Sequence, residues 1–212
     1  AAAALANDSL ISPVDIICLP EVPFDMDEFI EKLAKVEDKK QTTIVAVSEG
    51  ICDKNGDYIM SGIKSQARSD GFAHAALGGV GKYIEIEIAT RLGIKTRSLE
   101  FSTLQRCNAE TASKCDIDES FAQGEEGVRL AIAGECGKMV GIVREDGDIY
   151  KPHITSFDVS LIANKEKKIP QNMLSGDGFG VSEEFVKYAK PLINGHPDII
   201  YKDGIIDFIL RD

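Results

Sequence analysis

The sequence predicts an α/β fold, a Rossmann-like parallel sheet flanked by helices. Residues 14–19 and 42–47 are uninterrupted apolar runs rich in β-branched side chains, a pattern typical of strands that are buried on both faces. Residues 26–38 lie between them and carry apolar side chains at helical spacing. A strand, a helix of about three turns and a second strand form a βαβ unit, whose two strands run parallel.

Local sequence patterns mark the ends of these first elements. The opening residues 1–6 are rich in alanine and resemble the last turns of a helix, so we expect a piece of a longer chain. The first strand ends at Pro20 and Glu21. Asp25 and Glu28 then have the spacing of a capping box, which predicts the start of the helix over 26–38.

The middle of the chain combines a loop, a helix and a further strand. Residues 52–75 are polar and rich in glycine, and long excursions of this kind often carry function in α/β proteins. Apolar residues four apart predict a helix over 80–92 that ends at Gly93. The alternation over 84–88 also fits a strand, and this alternative stays open. Residues 95–103 alternate in polarity and predict a strand.

The next segment predicts a long helix. Asp116 and Glu119 repeat the capping-box spacing, and an apolar helical face follows that ends at Gly134. The residues of this face are Ile117, Phe121, Gly124, Val128 and Ala131. A glycine inside a helix costs about 1 kcal/mol relative to alanine. Gly124 and Gly127 therefore predict close packing of this helix against another element.

The remaining elements are predicted mainly by their turns. Residues 138–143 form a strand, and Asp146-Gly147 is a hairpin turn that leads to 149–150. Ser182 is the expected cap of a last helix, which Pro191 ends. Asp203-Gly204 lies between two apolar pairs and predicts a terminal hairpin.

Composition excludes several classes of protein. The 212 residues include 24 basic and 35 acidic side chains, so the net charge is −11 and nucleic acid is an unlikely partner. The sequence contains neither an apolar run of about 18–20 residues nor a signal-peptide pattern, so we expect no membrane partner. Five cysteines, none spaced as C-x-x-C, indicate reduced thiols in a cytoplasmic protein and no metal site.

Two possible motifs point to ordinary structural roles. His74, His153 and His196 are isolated in sequence, and none has the spacing of a metal or nucleophile motif. Residues 78–82 end in Gly-Lys, as a nucleotide-binding P-loop does. However, Ala76 and Tyr83 occupy the positions where that motif requires glycine and Ser or Thr.

Two arginines and one glutamate are the candidate binding residues. Arg97 and Arg106 stand at the two ends of a strand and loop, and guanidinium groups match phosphate oxygens. Nine extended residues span roughly 30 Å, so both can grip one phosphate only if the chain turns, although they can serve two sites across a symmetric dimer. Glu21 lies beyond the carboxyl end of a strand, where α/β sheets bind ligands, and can accept hydrogen bonds from sugar hydroxyls. Surface cations and a solvated loop acid are the alternatives.

These segments together resemble the C-terminal half of 6-phosphofructokinases, most closely the pyrophosphate-dependent type. The resemblance covers nearly the whole chain, most firmly residues 14–145, and implies the phosphofructokinase fold. The segments that carry it, in order, are Ile17-Cys18-Leu19-Pro20-Glu21, Val45-Ala46-Val47-Ser48-Glu49-Gly50, Arg97 through Arg106, and Asp116-Ile117-Asp118-Glu119.

The resemblance implies transfer of a phosphoryl group to the 1-hydroxyl of fructose 6-phosphate, which makes fructose 1,6-bisphosphate in glycolysis. It implies that Glu21 binds the sugar hydroxyls and that Arg106 binds the 6-phosphate within its own subunit. Arg97 is implied to reach the 6-phosphate in the neighbouring subunit, so we expect a homo-oligomer. Thr103 stands where many relatives have His or Tyr, and its hydroxyl has a shorter reach.

The family motifs of the N-terminal half do not occur in this sequence. They are the Gly-rich donor loop, a T-I-D-N-D-type motif with the catalytic Asp pair, and Met-Gly-Arg. We therefore assign no catalytic residue here and expect that the ligands of Mg²⁺ and the site for the donor, pyrophosphate or ATP, lie outside this chain. The 212 residues alone are expected to be inactive.

The same resemblance implies a domain organisation. Residues 1–212 form the sugar-phosphate-binding half, and about 107–145 pack on the phosphoryl-donor half. Two alternatives stay open. One is a non-catalytic sugar-phosphate-binding or regulatory module on the same fold, and the other is an unrelated Rossmann-like protein, although no G-x-G-x-x-G follows a strand.

Overall fold

The computed structural model describes residues 1–8, 10–60, 79–145, 147 and 149–207. They form two compact units: unit 1 comprises Ala1–Phe101 and Lys168–Tyr188, and unit 2 comprises Ser102–Lys167 and Ala189–Asp212. Residues 61–75 of the predicted excursion, with His74, and the first glycine of the segment 78–82 lie outside the described residues.

The helices and strands follow the chain in a simple order. They are β1 (Val14–Cys18), α1 (Met26–Glu37), β2 (Ile44–Val47), α2 (Val80–Leu92), α3 (Leu104–Cys107), α4 (Lys114–Ile132), β3 (Lys138–Arg144), β4 (Pro152–Asp158), α5 (Glu183–Ala189), β5 (Tyr201–Lys202) and β6 (Ile205–Ile206). Short 3-10 helices cover Ala2–Ala6, Ala109–Thr111, Val159–Leu161, Gln171–Met173 and Lys190–Ile193. The described helices include none with the length and apolar character needed to cross a bilayer.

The βαβ unit of unit 1 forms as predicted. Strands β1 and β2 pair in parallel, and α1 connects them. The register shifts between Val14 and Ile16, so Asp15 is an extra residue in β1. The Asp15 carboxylate accepts a hydrogen bond from the Ile44 amide at 3.0 Å and pairs with Lys40, and these contacts hold the shifted end of the strand to its neighbour.

Both faces of β1 are buried, as the uninterrupted apolar run predicts. Ile16 and Cys18 lie in one buried cluster with residues of α1 and α2. Ile17 and Leu19 lie in a second cluster, which also contains Leu174 and the partly buried Ile169. The sheet is therefore covered on both sides at β1, and this packing fixes the end of β1 from which the next loop starts.

The helices of unit 1 begin and end close to their predicted positions. The Asp25 carboxylate caps α1 by accepting from the Asp27 and Glu28 amides at 2.8 and 3.1 Å. Helix α2 spans 80–92, so the alternative of a strand over 84–88 is wrong. Gly93 ends α2 with φ +67°, a left-handed conformation that favours glycine.

The strand predicted over 95–103 does not form. Residues 93–101 have no regular secondary structure, and no strand pairing is recorded for them among the described residues. Leu99 and Phe101, expected to face a core, are 78% and 61% exposed. The Ser98 amide donates to the Glu85 carboxylate on α2 and not to a strand carbonyl. Alternating polarity cannot produce a strand without a neighbour that completes the hydrogen-bond ladder.

Helix α4 of unit 2 starts earlier than predicted. The spacing of Asp116 and Glu119 predicted a cap at Asp116, but the cap is Ser113, whose Oγ accepts from the Asp116 amide at 3.4 Å. The Glu119 side chain instead accepts a hydrogen bond from the Tyr150 hydroxyl at 2.7 Å. The first-turn amides of Lys114 and Cys115 donate to carbonyls of the segment 194–195.

The hairpin of unit 2 is longer than its turn pattern predicts. Strands β3 and β4 pair in antiparallel register from Lys138 with Asp158 to Arg144 with Pro152. Residues 149–150 therefore lie between the strands and not in one, and Asp146 of the predicted turn lies outside the described residues. Tyr150 is turned toward Glu119 on α4, a contact that local sequence cannot predict.

The last two elements form close to their predicted positions. Helix α5 begins directly after Ser182, whose hydroxyl donates to the Asn172 carbonyl at 2.9 Å. It ends at Ala189, and Pro191 lies in the 3-10 helix that follows. The terminal hairpin forms with Tyr201 opposite Ile206. Its turn residues Asp203 and Gly204 both have positive φ, as a two-residue hairpin turn requires.

Candidate functional site

The four predicted binding residues are divided between the two units. Glu21 and Arg97 belong to unit 1, and Thr103 and Arg106 belong to unit 2.

Glu21 is held by one carboxylate oxygen and leaves the other without a partner. It follows the end of β1, and its Oε1 accepts a hydrogen bond from the Ile169 amide at 3.1 Å. Its Oε2 is buried and accepts no hydrogen bond from the described residues. The Ala1 amino group interacts electrostatically with Glu21, but burial lowers the pKa of that amino group. A buried carboxylate oxygen without a donor is costly, so this oxygen is suited to accept from a ligand.

The contact of Glu21 with Ile169 was not predicted from the sequence. The two residues are 148 positions apart, and a backbone amide leaves no residue-type pattern. The apolar side chain of Ile169 packs against the cluster that contains Leu19 and Leu174, and this packing fixes the position of its amide. The apolar Ile169 directly after the charged run 165–168 is the local hint of this role in the sequence.

The described arginines fall into two groups. Arg91 pairs with Asp27 and Glu87, Arg129 pairs with Glu126, and the Arg144 guanidinium lies 5.1 Å from the Tyr150 ring centroid. For Arg97 and Arg106, by contrast, no ion pair or side-chain hydrogen bond is recorded among the described residues.

Both of these unpaired arginines are exposed. Arg91 and Arg129 each have a carboxylate partner in this chain, which carries 35 acidic side chains and a net charge of −11. The two guanidinium groups without one are therefore available for an anion from outside the chain.

The segment that carries Arg97 is fastened to α2. The Ser98 amide and hydroxyl both donate to Oε2 of Glu85, at 2.9 and 2.6 Å. Lys82 donates to the other oxygen, Oε1, at 2.5 Å. The hydrogen bond from Lys82, followed by those from Ser98, lowers the pKa of Glu85 to about 2. Glu85 is therefore ionised in neutral solution.

Thr103 and Arg106 share one helical turn. The Arg106 amide donates to the Thr103 carbonyl at 2.9 Å, and Thr103 precedes α3. The Thr103 hydroxyl makes no capping hydrogen bond. Ser102, the residue before it, has φ +45°, which is unusual for a residue other than glycine. The chain turns at this point.

The described residues offer groups of two kinds. Guanidinium groups and a hydroxyl can each donate to a phosphate, and a carboxylate can accept from hydroxyls. His153 and His196 are exposed, and the described residues contain no group of acidic, His or Cys side chains placed to hold a metal. The thiol of Cys18 is buried, and burial raises its pKa to about 12, so it is not a nucleophile in neutral solution.

Comparison with known proteins identifies the family. Residues 2–112 match the sequence profile described as PFK, Phosphofructokinase. A protein of Methylococcus capsulatus named pyrophosphate–fructose 6-phosphate 1-phosphotransferase is 35% identical over 209 residues. A protein of the same name from Xanthomonas campestris is 32% identical over 210 residues. Each alignment covers 99% of this chain, and about half of the relative, 49% and 50%.

Solved structures give the same result for the fold. The pyrophosphate-dependent phosphofructokinase of Nitrosospira multiformis superposes with a TM-score of 0.81 at 29% identity, covering 99% of this chain and 48% of that chain. The corresponding enzyme of Marinobacter aquaeolei gives a TM-score of 0.76 at 27% identity. The chain spans about half the length of the curated relatives it matches. The fold, the sequence profile and these relatives agree: the chain belongs to the phosphofructokinase family.

Proposed function

We propose that this chain is the fructose 6-phosphate-binding half of a pyrophosphate-dependent 6-phosphofructokinase. The observation that carries the proposal is the Glu21 carboxylate, which has one oxygen on the Ile169 amide and the other buried without a donor. A sugar hydroxyl is a donor that satisfies this oxygen. The two relatives from Methylococcus capsulatus and Xanthomonas campestris are named for fructose 6-phosphate and pyrophosphate, which supports the choice of sugar and donor.

Each candidate residue has a proposed role. Glu21 accepts hydrogen bonds from hydroxyls of the sugar, and Arg106 binds its 6-phosphate through a charge-assisted bond. Thr103 donates to the same phosphate from the preceding turn. Arg97 binds the 6-phosphate in the neighbouring subunit, so the working form is a homo-oligomer. Within the described part of the chain neither Arg97 nor Arg106 has an ion pair or side-chain hydrogen bond, which supports these roles.

The chemical step depends on groups outside this chain. Phosphoryl transfer needs a base for the attacking hydroxyl and neutralisation of the charge that develops on the phosphoryl group, which Mg²⁺ supplies in enzymes of this class. The described residues present no set of ligands for such an ion. This chain contributes binding and orientation of the sugar phosphate.

The apolar face of α4 supports the proposed domain organisation. Phe121 and Ile132 are 69% and 83% exposed, and no residue of α4 is buried. Gly124 has no atom within 4 Å of the place a Cβ would occupy, so nothing described packs closely there. In the whole protein, about 107–145 pack on the phosphoryl-donor half, and this contact covers the apolar face.

The proposed cellular setting follows from the cysteines. All five are free, and three of them are at least partly buried. A reducing compartment keeps such thiols free, so we place the protein in the cytoplasm.

Steady-state kinetics of the full-length protein test the proposed function. Fructose 6-phosphate with pyrophosphate should give fructose 1,6-bisphosphate, and the same assay with ATP identifies the donor. The 212-residue chain alone should give no product. A full-length protein that binds the sugar phosphate but makes no bisphosphate with either donor would be the non-catalytic module instead.

A substitution at Glu21 tests the site. Glu21→Gln keeps an acceptor for the Ile169 amide but replaces the free oxygen by a donor. Loss of a hydrogen bond to a charged group is worth about 1.5–3 kcal/mol, so KM for fructose 6-phosphate should rise about ten-fold or more. Glu31→Gln, at an exposed position of α1, is the matched control and should leave KM unchanged. An unchanged KM in Glu21→Gln removes Glu21 from the site.

A further inference from the structure

We infer that Glu85 is a positioning residue that fixes Arg97 for the sugar phosphate by clamping the neighbouring residue Ser98 onto α2. The inference rests on the proposed function, because it takes Arg97 to be a phosphate-binding residue. It adds a residue of α2, outside the predicted set of binding residues, to the machinery of the site.

The clamp holds a segment that has no regular secondary structure and whose partly buried Ile94 packs on the core of unit 1, three residues before Arg97. Residues 93–101 belong to no helix and to no recorded strand pair. A guanidinium on an unsupported segment would lose conformational entropy whenever it bound a phosphate. A segment that is already fixed avoids most of this loss.

One carboxylate makes the clamp from two directions. Oε2 of Glu85 accepts both the amide and the hydroxyl of Ser98, so it fixes the backbone and the side chain of the residue next to Arg97. Oε1 accepts from Lys82, which lies three residues earlier on the same helix. Lys82 thus restricts the rotation of Glu85, and both oxygens of the carboxylate are used.

A close approach at Gly81 shows that the segment lies directly against the helix. A Cβ at Gly81 would be 3.3 Å from the Cβ of Ser98. This is tighter than an ordinary contact, so a larger residue would push Ser98 away from α2. Gly81 and Glu85 both act on Ser98. Gly81 leaves room for it, and the Glu85 carboxylate accepts its hydrogen bonds.

The side chain of Arg97 itself stays available. No partner of Arg97 is recorded among the described residues, whereas Arg91, on the same helix as Glu85, is held by Asp27 and Glu87. Glu85 therefore anchors the backbone beside Arg97 without neutralising its guanidinium. A fixed backbone and an uncompensated charge are what a residue that binds an anionic ligand needs.

A double-mutant cycle on the full-length protein tests the inference. The Kd of fructose 6-phosphate is measured by titration calorimetry for wild type, Arg97→Ala, Glu85→Gln and the double variant. We expect Glu85→Gln to raise Kd by about three- to ten-fold, the scale of coupling between residues in one network. In the Arg97→Ala background the same substitution should change Kd by less than about two-fold, because Glu85 acts through Arg97.

Matched variants separate positioning from folding. Glu87→Gln, on the same helix and paired with Arg91, should leave Kd unchanged. Ser98→Ala removes only the hydrogen bond of the hydroxyl and should give a smaller rise in Kd than Glu85→Gln. If Glu85→Gln does not fold, Ser98→Ala serves as the test. Ser98→Thr, which keeps the hydroxyl, should restore wild-type Kd.

Each outcome has a defined meaning. If Arg97→Ala raises Kd but Glu85→Gln and Ser98→Ala do not, the inference is wrong and the proposed role of Arg97 stands. If Glu85→Gln raises Kd equally in both backgrounds, it acts on the fold and not through Arg97, and the inference is again overturned. If Arg97→Ala leaves Kd unchanged, the proposed role of Arg97 fails and the inference fails with it.

Discussion

Glu85 illustrates how a single side chain can link a helix to the irregular segment that carries Arg97. Its carboxylate accepts three hydrogen bonds, one from Lys82 and two from Ser98, and these lower its pKa from 4.5 to about 2. A carboxyl group whose folded-state pKa is depressed stabilises the folded state above its unfolded pKa. That stabilisation is lost as the pH falls from about 4.5 toward 2.

This shift predicts a pH dependence that Glu85→Gln removes. The free energy of unfolding of wild type, minus that of the variant, should be constant near neutral pH and should shrink between pH 4.5 and about 2. Urea unfolding at a series of pH values measures this difference. A difference that stays constant down to pH 2 would show that the carboxylate has an ordinary pKa and that the clamp does not form in solution.

Glu21 shows the limit of sequence reasoning at a single residue. Its place after a strand end made it a candidate, because strand ends meet ligands in α/β folds. The Ile169 amide that orients it lies 148 residues later and belongs to the backbone, so no residue type announces it. Glu21 could therefore be predicted as a candidate, whereas the contact that holds one of its oxygens could not.

Elements with local determinants were predicted well. The βαβ unit has an apolar pattern, a cap at Asp25 and glycine at Gly93, and each acts within a few residues of the element it defines. The terminal hairpin depends on Asp203-Gly204 in the same way. These patterns hold because the interactions that produce them are short in sequence.

Elements that depend on residues distant in sequence were predicted poorly. The prediction of a strand over 95–103 was wrong because no neighbouring strand completes its hydrogen-bond ladder and the Ser98 amide donates to Glu85 on α2. The predicted start of α4 was wrong because Ser113 and Asp116 both fit a capping pattern. The structure selects Ser113, whose hydroxyl also donates to the Leu192 carbonyl at 2.6 Å, 79 residues away.

The cap of α4 gives a prediction at this scale. Ser113→Ala should reduce the free energy of unfolding by about 1 kcal/mol, the usual value of an N-cap side chain. Asp116→Ala, the matched control within the same turn, loses only a charge near the helix N-terminus and should cost about 0.3–0.5 kcal/mol. Urea unfolding followed by circular dichroism compares the two. A larger loss for Asp116→Ala would restore the cap expected from the sequence.

At the scale of the whole molecule, unit 2 exposes apolar side chains that an independent protein would normally bury. Phe121, Val128 and Ile132 on α4 are all exposed, although their spacing is that of a buried helical face. The chain spans about half the length of the relatives it matches. Both observations support our proposal that this face packs on the phosphoryl-donor half.

A substitution on this face tests the proposal in two backgrounds. In the 212-residue chain, Phe121→Ser should change the free energy of unfolding by no more than about 0.5 kcal/mol, because the side chain is already exposed. In the full-length protein the same substitution should cost about 3 kcal/mol or more, the scale of truncating a buried Phe. Equal small effects in both backgrounds would show that nothing covers the helix.

The central claim of the proposal is that guanidinium groups without a partner in the described residues bind the phosphate of the sugar. The most direct measurement compares the Kd of fructose 6-phosphate with that of fructose, in the full-length protein and in Arg106→Ala. Arg129→Ala, whose native partner is Glu126, is the control. We predict that Arg106→Ala weakens fructose 6-phosphate binding by about 1.5–3 kcal/mol and leaves fructose binding unchanged. Equal affinity of wild type and Arg106→Ala for the sugar phosphate would contradict the account.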